Sequence, residues 1–488
     1  MASLDEIKSE RLEKLGKLKE TGIDPYPGAT LRTADLKTIF ANFDDRLAAG
    51  EAVTVAGRVM AIRGQGAIVF INIFDGTATI QGLLKQDEME EAVFNLFTDT
   101  VDIGDFVELS GLLFVTNRGE KTVKVKTWKM LTKTLLPLPE KWHGLTDEEA
   151  RFRKRYLDIL MNPAVREMIE LKAKFWQFTR NYLVQAGFIE VETPTLEITT
   201  GGAEANPFKT HHDDYDLDVY LRISVGELWQ KKLLAAGLPR TFEIGRVYRN
   251  EGTSPDHAQE FTNLEFYAAY MDLEGGIKLT EELIRGLVRD VFGKTVFSTR
   301  GFTFEFPVGA WPRIEYVAKV KEMTGLDVLS ASEEEMKDKL DELGVKYTGD
   351  NRERLTDTLW KYCRKQIAGP AWLVGHPKLV SPLAKARIDN PDLTNRVQLI
   401  LAGAEATNGF SELNNPLDQR ARFELQQQLI DRGDKEAMMP DWEFVEMLEH
   451  GMPPAFGNGF GERLLAILLD KPLRETQIFP LMRPKDLN

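Results

Sequence analysis

At 488 residues, 43% of them hydrophobic and 28% charged, the chain is too long for a single core, so two or three globular domains are expected. One cysteine, Cys363, excludes an internal disulfide and any cysteine-based zinc site, which leaves carboxylates with a hard ion such as magnesium as the metal option. The net charge of −14 argues against indiscriminate nucleic-acid binding and still permits a local basic face.

Residues 1–48 read as a helical segment. Ser3 with Glu6 makes a capping box, Leu4, Ile7, Leu15 and Leu18 recur near helical spacing, and Pro25, Pro27 and Gly28 end the first helix. The start is charged rather than apolar, and no run of about eighteen apolar residues follows, so a cytoplasmic chain without a membrane span is expected.

Residues 49–136 change to period two. Val53-Val55-Gly57-Val59, Val69-Ile71-Ile73, Phe106-Glu108-Ser110 and Val123-Lys124-Val125-Lys126 alternate, with a turn signal at Asp75-Gly76. Five short strands in this span predict a small barrel of the OB type. Gly111 to Leu135 carries six basic residues (Arg118, Lys121, Lys124, Lys126, Lys129 and Lys133) against Glu120, a local charge of +5. With Phe70, Phe74 and Gln81 on neighbouring strands, this suits single-stranded bases. A solvated strand face with the phenylalanines in the core fits the same pattern equally well.

Leu136-Pro137-Leu138-Pro139 is a stiff connector, and residues 137–488 form the larger part. Helices are expected from Arg151 to Leu160 and from Val165 to Ala186, followed by a helix stop and short strand through Gly187–Pro194. Thr241–Tyr270 reads as two strands joined by a polar loop, with Arg249, Glu251, His257, Glu260 and Glu265 crowded on it. So many ionisable groups in an apolar setting mark a site. A charged helical insertion is expected near 325–370, with Ser332 and Glu335 as a second capping box.

Arg249 and Arg463 each follow turn or glycine residues and offer forks for phosphate. Glu405 and Glu412, seven residues apart, have the chemistry to hold magnesium. Arginines and magnesium together describe a nucleotide triphosphate site, yet neither a P-loop nor the protein-kinase motifs are present. Singly each piece is more often structural; their order and spacing are far more specific.

That order resembles the class II aminoacyl-tRNA synthetases. Gly187–Pro194 matches the family's first motif, FEIGRVYRNEG through Glu260-Phe261-Thr262 the second, and Gly457-Asn458-Gly459-Phe460-Gly461-Glu462-Arg463 the third. Within that family LPLPEKWHGLTDEEARFRKRYLDIL, TGGAEANPFKTHH, LVSPLAKA and NGFSELN look like the bacterial-type lysyl-tRNA synthetases. The resemblance implies an α+β protein: an OB-fold barrel that binds the anticodon, then a catalytic domain of antiparallel sheet flanked by helices. It implies activation of L-lysine by ATP with Mg2+, transfer to tRNA(Lys), and a homodimer through Gly187–Pro194.

By the same match, Arg249 holds the α-phosphate and Arg463 the γ-phosphate; Glu251 reads adenine, Phe261 stacks on it, His257 lies by the triphosphate, and Glu405 and Glu412 carry the magnesium. Gly202, Glu227, Glu265, Tyr267 and Asn415 (or Asn414) are implied at lysine, and Arg58, Phe70 and Gln81 at the anticodon. An ε-ammonium needs acidic partners to leave water, which Glu227 and Glu265 supply. Two departures stand out: Ser224-Val225-Gly226-Glu227-Leu228 is one residue longer than in relatives, and Trp128 stands where relatives often carry a glutamate for the anticodon. The rival reading is a paralogue that lysylates a protein or acts as a nucleic-acid-binding regulator.

Overall fold

The computed structural model describes residues 3–139, 147–203, 205–252, 254–347, 349–434 and 437–484. Part of the LPLPEKWHGLTDEE phrase, Glu204 of TGGAEANPF and Thr253 of the hairpin loop therefore lie outside the described residues. Two compact units divide the chain, residues 1–148 and 149–488.

In the first unit, helix α1 (Leu4–Glu20) starts on the expected capping box, with the Ser3 hydroxyl accepting from the Glu6 N–H and the Glu6 carboxylate from the Ser3 N–H. Strands β1 (Ala52–Gln65), β2 (Ile68–Phe74) and β3 (Thr79–Lys85), helix α2 (Glu91–Thr100), and strands β4 (Phe106–Val115) and β5 (Lys121–Thr132) come next. The strands close into a barrel in the order β1-β2-β3-β5-β4. Alternation decides which face each residue takes: Val69, Ile71 and Ile73 fill the core, so Phe70 and Phe74 stand on the outer face. Each fully buried aliphatic contributes about 2 kcal/mol, which makes a one-residue slip of any strand prohibitive.

The basic stretch is corrected by the structure. Lys133 is wholly buried, 2.5 Å from Asp102 and 2.8 Å from Asp105. Withdrawing it would strand two carboxylates at a cost of roughly 3–5 kcal/mol, so it is a structural cation and not a nucleic-acid contact. Lys124 and Lys126 share Glu88, at 2.7 and 3.2 Å. A count along the sequence had no means of placing those acids beside them.

The second unit is built on a nine-stranded sheet. Helix α3 (Pro163–Gln185) precedes strand β6 (Ile189–Glu190); helix α4 (Glu227–Ala235) precedes the hairpin strands β7 (Arg240–Tyr248) and β8 (Glu260–Ala269). Strand β9 (Arg313–Glu315), helices α5 (Glu333–Glu342) and α6 (Arg352–Arg364), strands β10 (Ala371–Val374), β11 (Arg396–Leu401), β12 (Ala404–Glu405) and β13 (Asn408–Ser411), helix α7 (Pro416–Asp431), strand β14 (Ala455–Gly461) and helix α8 (Glu462–Leu469) complete the frame.

The strand order is β9-β10-β11-β13-β14-β8-β7-β6, with β12 added on β11. Only the two outermost pairs, β9/β10 and β6/β7, run parallel. One core cluster lies under the hairpin, where Phe242, Leu264, Phe266 and Ala268 meet Phe456, Phe460 and Leu464. α5 begins on the second expected capping box, Ser332 with Glu335. Met336, Leu340, Leu359 and Trp360 of α5 and α6 form a cluster with Leu373 and Ile400 of the sheet, so this helical segment shares its core with the strands.

Candidate active site

Since Leu264 and Phe266 point into the core, Phe261, Asn263, Glu265 and Tyr267 of β8 share the opposite face. Next to β8 runs β14, in which Gly461, Gly459 and Gly457 pair with Asn263, Glu265 and Tyr267. A Cβ on Gly459 would come within 2.9 Å of Glu265 Cγ, and one on Gly461 within 2.8 Å of Asn263 Oδ1. A strand with glycine at every second position is bare on that face, and the β8 side chains lean over the floor so created. This is the physical content of the glycine-rich third motif.

The acidic end lies at Glu265. Its carboxylate accepts from Val225 N–H (2.8 Å), the Tyr267 hydroxyl (2.8 Å) and Asn263 Nδ2 (3.2 Å), all neutral donors, and forms no ion pair among the described residues. Across the ladder sits Glu243, a like charge, satisfied separately by Arg222 at 2.6 Å and by Thr193. Glu227 is buried at the start of α4, 2.8 Å from Lys231 one turn on; Lys231 Nζ lies 2.7 Å from Glu412 as well. Gly202 belongs to the same cluster, since a Cβ there would meet Glu227 Oε2 at 2.7 Å.

Three buried carboxylates thus face one ammonium. Burial pushes Glu265 up to about 7, with the Glu227 charge adding to it, and burial pushes Glu412 up to about 8 despite Lys231. Burial works against the charge on Lys231, yet Glu227 and Glu412 outweigh it and raise its pKa. The cluster is short of positive charge, a setting that a cationic guest would relieve.

Gly226 adopts a left-handed conformation (φ +64°), where a Cβ would meet Thr193 Oγ1 at 2.0 Å, and the turn it makes sends Val225 N–H to Glu265.

The other end of the hairpin is rich in arginine. Arg249 donates to the Ile223 carbonyl from Nε and Nη2, both at 3.3 Å, and its guanidinium lies 5.3 Å from the Phe261 ring centre. Arg463, first turn of α8, donates to the Asp256 carbonyl at 3.3 Å, while Arg300 takes the Asp256 carboxylate. Burial lowers the pKa of His257, with help from Arg463, and its Nδ1 sits 2.7 Å from Ser254 Oγ. Glu251 is half-buried on the same loop. Backbone carbonyls satisfy both candidate arginines only in part, which leaves donors for a polyanion.

Glu405 and Glu412 stand in different surroundings. Glu405 pairs with Arg364 at 3.3 Å; burial would raise it, but Arg364, Arg463 and Arg396 hold it below the usual carboxylate range. Glu412 belongs with the acids, and its buried Oε1 has no donor among the described residues. No three His, Cys, Asp or Glu side chains converge as a metal cage among the described residues. Magnesium asks for only one or two carboxylates when phosphates and water supply the rest, so the ionised Glu405 and the open oxygen of Glu412 fit it.

Asn415 is exposed and spends its side chain capping α7 through the Leu417 and Asp418 N–H groups. Its neighbour Asn414 is half-buried and accepts from Lys385 at 2.6 Å. Sequence reasoning missed Lys231, although an acid and a base at i, i+4, Glu227 and Lys231, were the signal for it.

On the barrel, Phe70 and Gln81 share the outer face, where Gln81 donates to Thr122 Oγ1 at 3.0 Å. Gln81 lines a cleft of about 380 Å³ with Phe40, Arg63, Asn72, Thr79 and Lys121. Arg63, unnoticed in the sequence, pairs with Phe70 across β1 and β2. Arg58 is engaged elsewhere, over the Phe106 ring at 4.2 Å and donating to the Gly104 carbonyl. Trp128 packs edge-on to Phe97 and donates to the Val93 carbonyl, fastening α2 to the barrel.

Comparison with known proteins gives two family matches. Residues 147–483 match the tRNA synthetases class II (D, K and N), and residues 53–131 match the OB-fold nucleic acid binding domain. Among individual relatives, the chain is 41% identical to a lysine–tRNA ligase of Roseiflexus sp. (strain RS-1), over 99% of this chain and all of the relative. It is 40% identical to the lysine–tRNA ligase of Thermotoga maritima, over 99% of this chain and 97% of the relative. The same holds for that of Moorella thermoacetica, 40% identical over 99% of both chains.

Proposed function

Because the chain belongs to the class II tRNA synthetases (D, K and N), we propose how its two charged poles carry out that chemistry. It is an ATP-dependent aminoacyl-tRNA ligase that charges tRNA with lysine, as its full-length relatives are named. The lysine carboxylate attacks the α-phosphorus of ATP, the bond to the bridging oxygen breaks, and lysyl-adenylate and pyrophosphate form. A terminal ribose hydroxyl of tRNA(Lys) then attacks the lysyl carbonyl and releases AMP. No strong protein nucleophile is needed, so positioning and charge neutralisation do the catalysis.

Glu227, Glu265 and Tyr267, with Gly202 leaving room, take the lysine side chain. Arg249 takes the α-phosphate and Arg463 the γ-phosphate; Phe261 stacks on adenine, Glu251 reads it, and His257 lies beside the triphosphate. Glu405 and Glu412 would hold Mg2+, which when bound neutralises phosphate charge. Chelation should abolish adenylate formation.

Residues 49–136 serve as the anticodon-binding barrel through Phe70 and Gln81, with Arg58 at its β1/β4 side, residues 137–488 as the catalytic domain, and 1–48 as a helical preface. A homodimer through Gly187–Pro194 is supported by the edge position of β6 and the 49% exposure of Ile189. No helix among the described residues is long and apolar enough to cross a membrane; a place in the cytoplasm follows from the reading as a tRNA-charging enzyme, like the lysine–tRNA ligases it resembles. Nothing favours a protein-lysylating or regulatory paralogue.

The observation that carries the amino-acid choice is Glu265 held by neutral donors alone, beside two further buried glutamates. The decisive experiment is ATP–pyrophosphate exchange by the purified chain. Lysine should support it; equal support by aspartate or asparagine would refute the assignment.

A further inference from the structure

Lys231 is the one buried ammonium, among the described residues, in a pocket that the lysine reading reserves for a substrate ammonium. Its Nζ lies 2.8 Å from Glu227 and 2.7 Å from Glu412, and the side chain is 1% exposed. Three rings surround it: Phe410 at 5.1 Å, Tyr267 at 5.7 Å and Phe444 at 5.9 Å from the charge. Glu227 stands on the same helix, whereas Glu412 comes just after β13, so the contact ties two elements distant in sequence. Such a cation has no route to solvent, and rings on several sides leave it few rotamers.

We infer that Lys231 is a positioning residue of the amino-acid pocket: a resident counter-ion that fixes Glu227 and Glu412 in place and leaves Glu265 as the carboxylate for the guest's side-chain ammonium. The inference rests on the lysine reading above. The pairing pattern carries it: Lys231 is matched to Glu227 and Glu412, while Glu265, in the same cluster, has neutral donors only. Free lysine brings an α-ammonium and an ε-ammonium while its carboxylate goes to the phosphate. An amino acid with an uncharged side chain offers Glu265 no cation, and the carboxyl then keeps the proton that burial favours.

Geometry adds direction to the pattern. Lys231 bonds Glu227 and Glu412 and is not an ion-pair partner of Glu265, whose donors are neutral. One side of the acid cluster therefore carries its own cation, and the other side carries none among the described residues. Glu412 Oε1 lies over the bare floor at Gly457, while Oε2 faces Lys231. Without Lys231 the carboxylates of Glu227 and Glu412 would repel and separate, and the guest would lose the spacing it binds to.

The test uses the full-length protein with Lys231→Met, whose apolar stem fills the slot, and Lys231→Ala. Equilibrium binding of labelled lysine without ATP, and KM for lysine and for ATP in pyrophosphate exchange, are measured. Lys231→Met should weaken lysine binding roughly ten- to a hundredfold, with the ATP KM within about twofold. In Lys231→Ala, propylammonium should restore lysine binding, since it replaces the deleted atoms, and propanol should not.

Lysine binding at the level of the unaltered protein, equal shifts in both KM values, or equal rescue by propanol would overturn the role. If circular dichroism finds Lys231→Ala unfolded, the KM split in Lys231→Met decides. Exchange by the unaltered protein that does not depend on lysine would instead overturn the lysine reading itself.

Discussion

Gly457 lies opposite Tyr267 in the β8–β14 ladder, and a Cβ added to it would come within 2.3 Å of Glu412 Oε1 and 2.4 Å of the tyrosine ring. Neither neighbour is a loose chain end, because both are buried and Tyr267 is bonded to Glu265. Gly457→Ala should therefore leave the strand paired while pushing Tyr267 and Glu412 out of line. The KM for lysine should rise by about tenfold or more while the melting temperature falls only modestly. Unchanged lysine kinetics would show that this floor does not touch the amino acid.

Glu265→Gln keeps the shape and removes the charge. The amide oxygen can keep the Val225 and Asn263 donors while the amide NH2 faces the Tyr267 hydroxyl, which can turn to accept, and the guest ammonium loses its counter-charge. Lysine KM should increase by roughly two orders of magnitude with little change for ATP. Equal effects on the two substrates would mean the pocket is misassigned.

Burial raises Glu265 from its ordinary 4.5 to about 7. Between those values the folded chain holds a proton there that the unfolded chain has lost, so this group's contribution to stability falls as pH rises through that window. A bound ammonium reverses the preference, because it favours the carboxylate. Lysine binding near neutral pH should release protons, and affinity should strengthen from about pH 6 to about pH 8. Calorimetry in buffers of different ionisation enthalpy reads the release; uptake of protons would contradict it.

Arg463 sits in the first turn of α8, where its one hydrogen-bond acceptor among the described residues is the Asp256 carbonyl at 3.3 Å. Arg463→Ala should raise the ATP requirement and lower exchange by about a hundredfold or more, while lysine binding without ATP stays near normal. A matching loss of lysine binding would place the residue in the wrong half of the site.

The barrel and the catalytic sheet should separate in kinetics. Phe70→Ala or Arg63→Ala should raise the tRNA KM in aminoacylation by about tenfold and leave pyrophosphate exchange untouched, since base stacking contributes about 1–3 kcal/mol. Loss of exchange in either variant would mean the barrel substitution had damaged the fold.

Period-two alternation was enough to read the barrel, and turn chemistry enough to read the hairpin, because both arise from local geometry. The glycine spacing of β14 and the two capping boxes were legible for the same reason. Lys133 was misread because its partners Asp102 and Asp105 arrive from another strand connection. The separation of Glu405 from Glu412 was also hidden: seven residues of spacing say nothing about which helix supplies Arg364 or Lys231 to each. Asn415 and Asn414 stood as alternatives in the sequence, and the structure distinguishes their surroundings: Asn415 caps α7 and Asn414 accepts from Lys385.

The left-handed glycine at 226 governs how such a site can drift. It works as a clutch between loop and helix: residues gained or lost upstream change the path to Gly226 without rotating α4 beyond it. Glu227 and Lys231 keep their mutual phase because only the helix sets it. The insulation stops at the helix: Val225 N–H donates to Glu265 and the Ile223 carbonyl accepts from Arg249, so a change of length just before Gly226 would reach both ends of the site while leaving the Glu227–Lys231 phase intact.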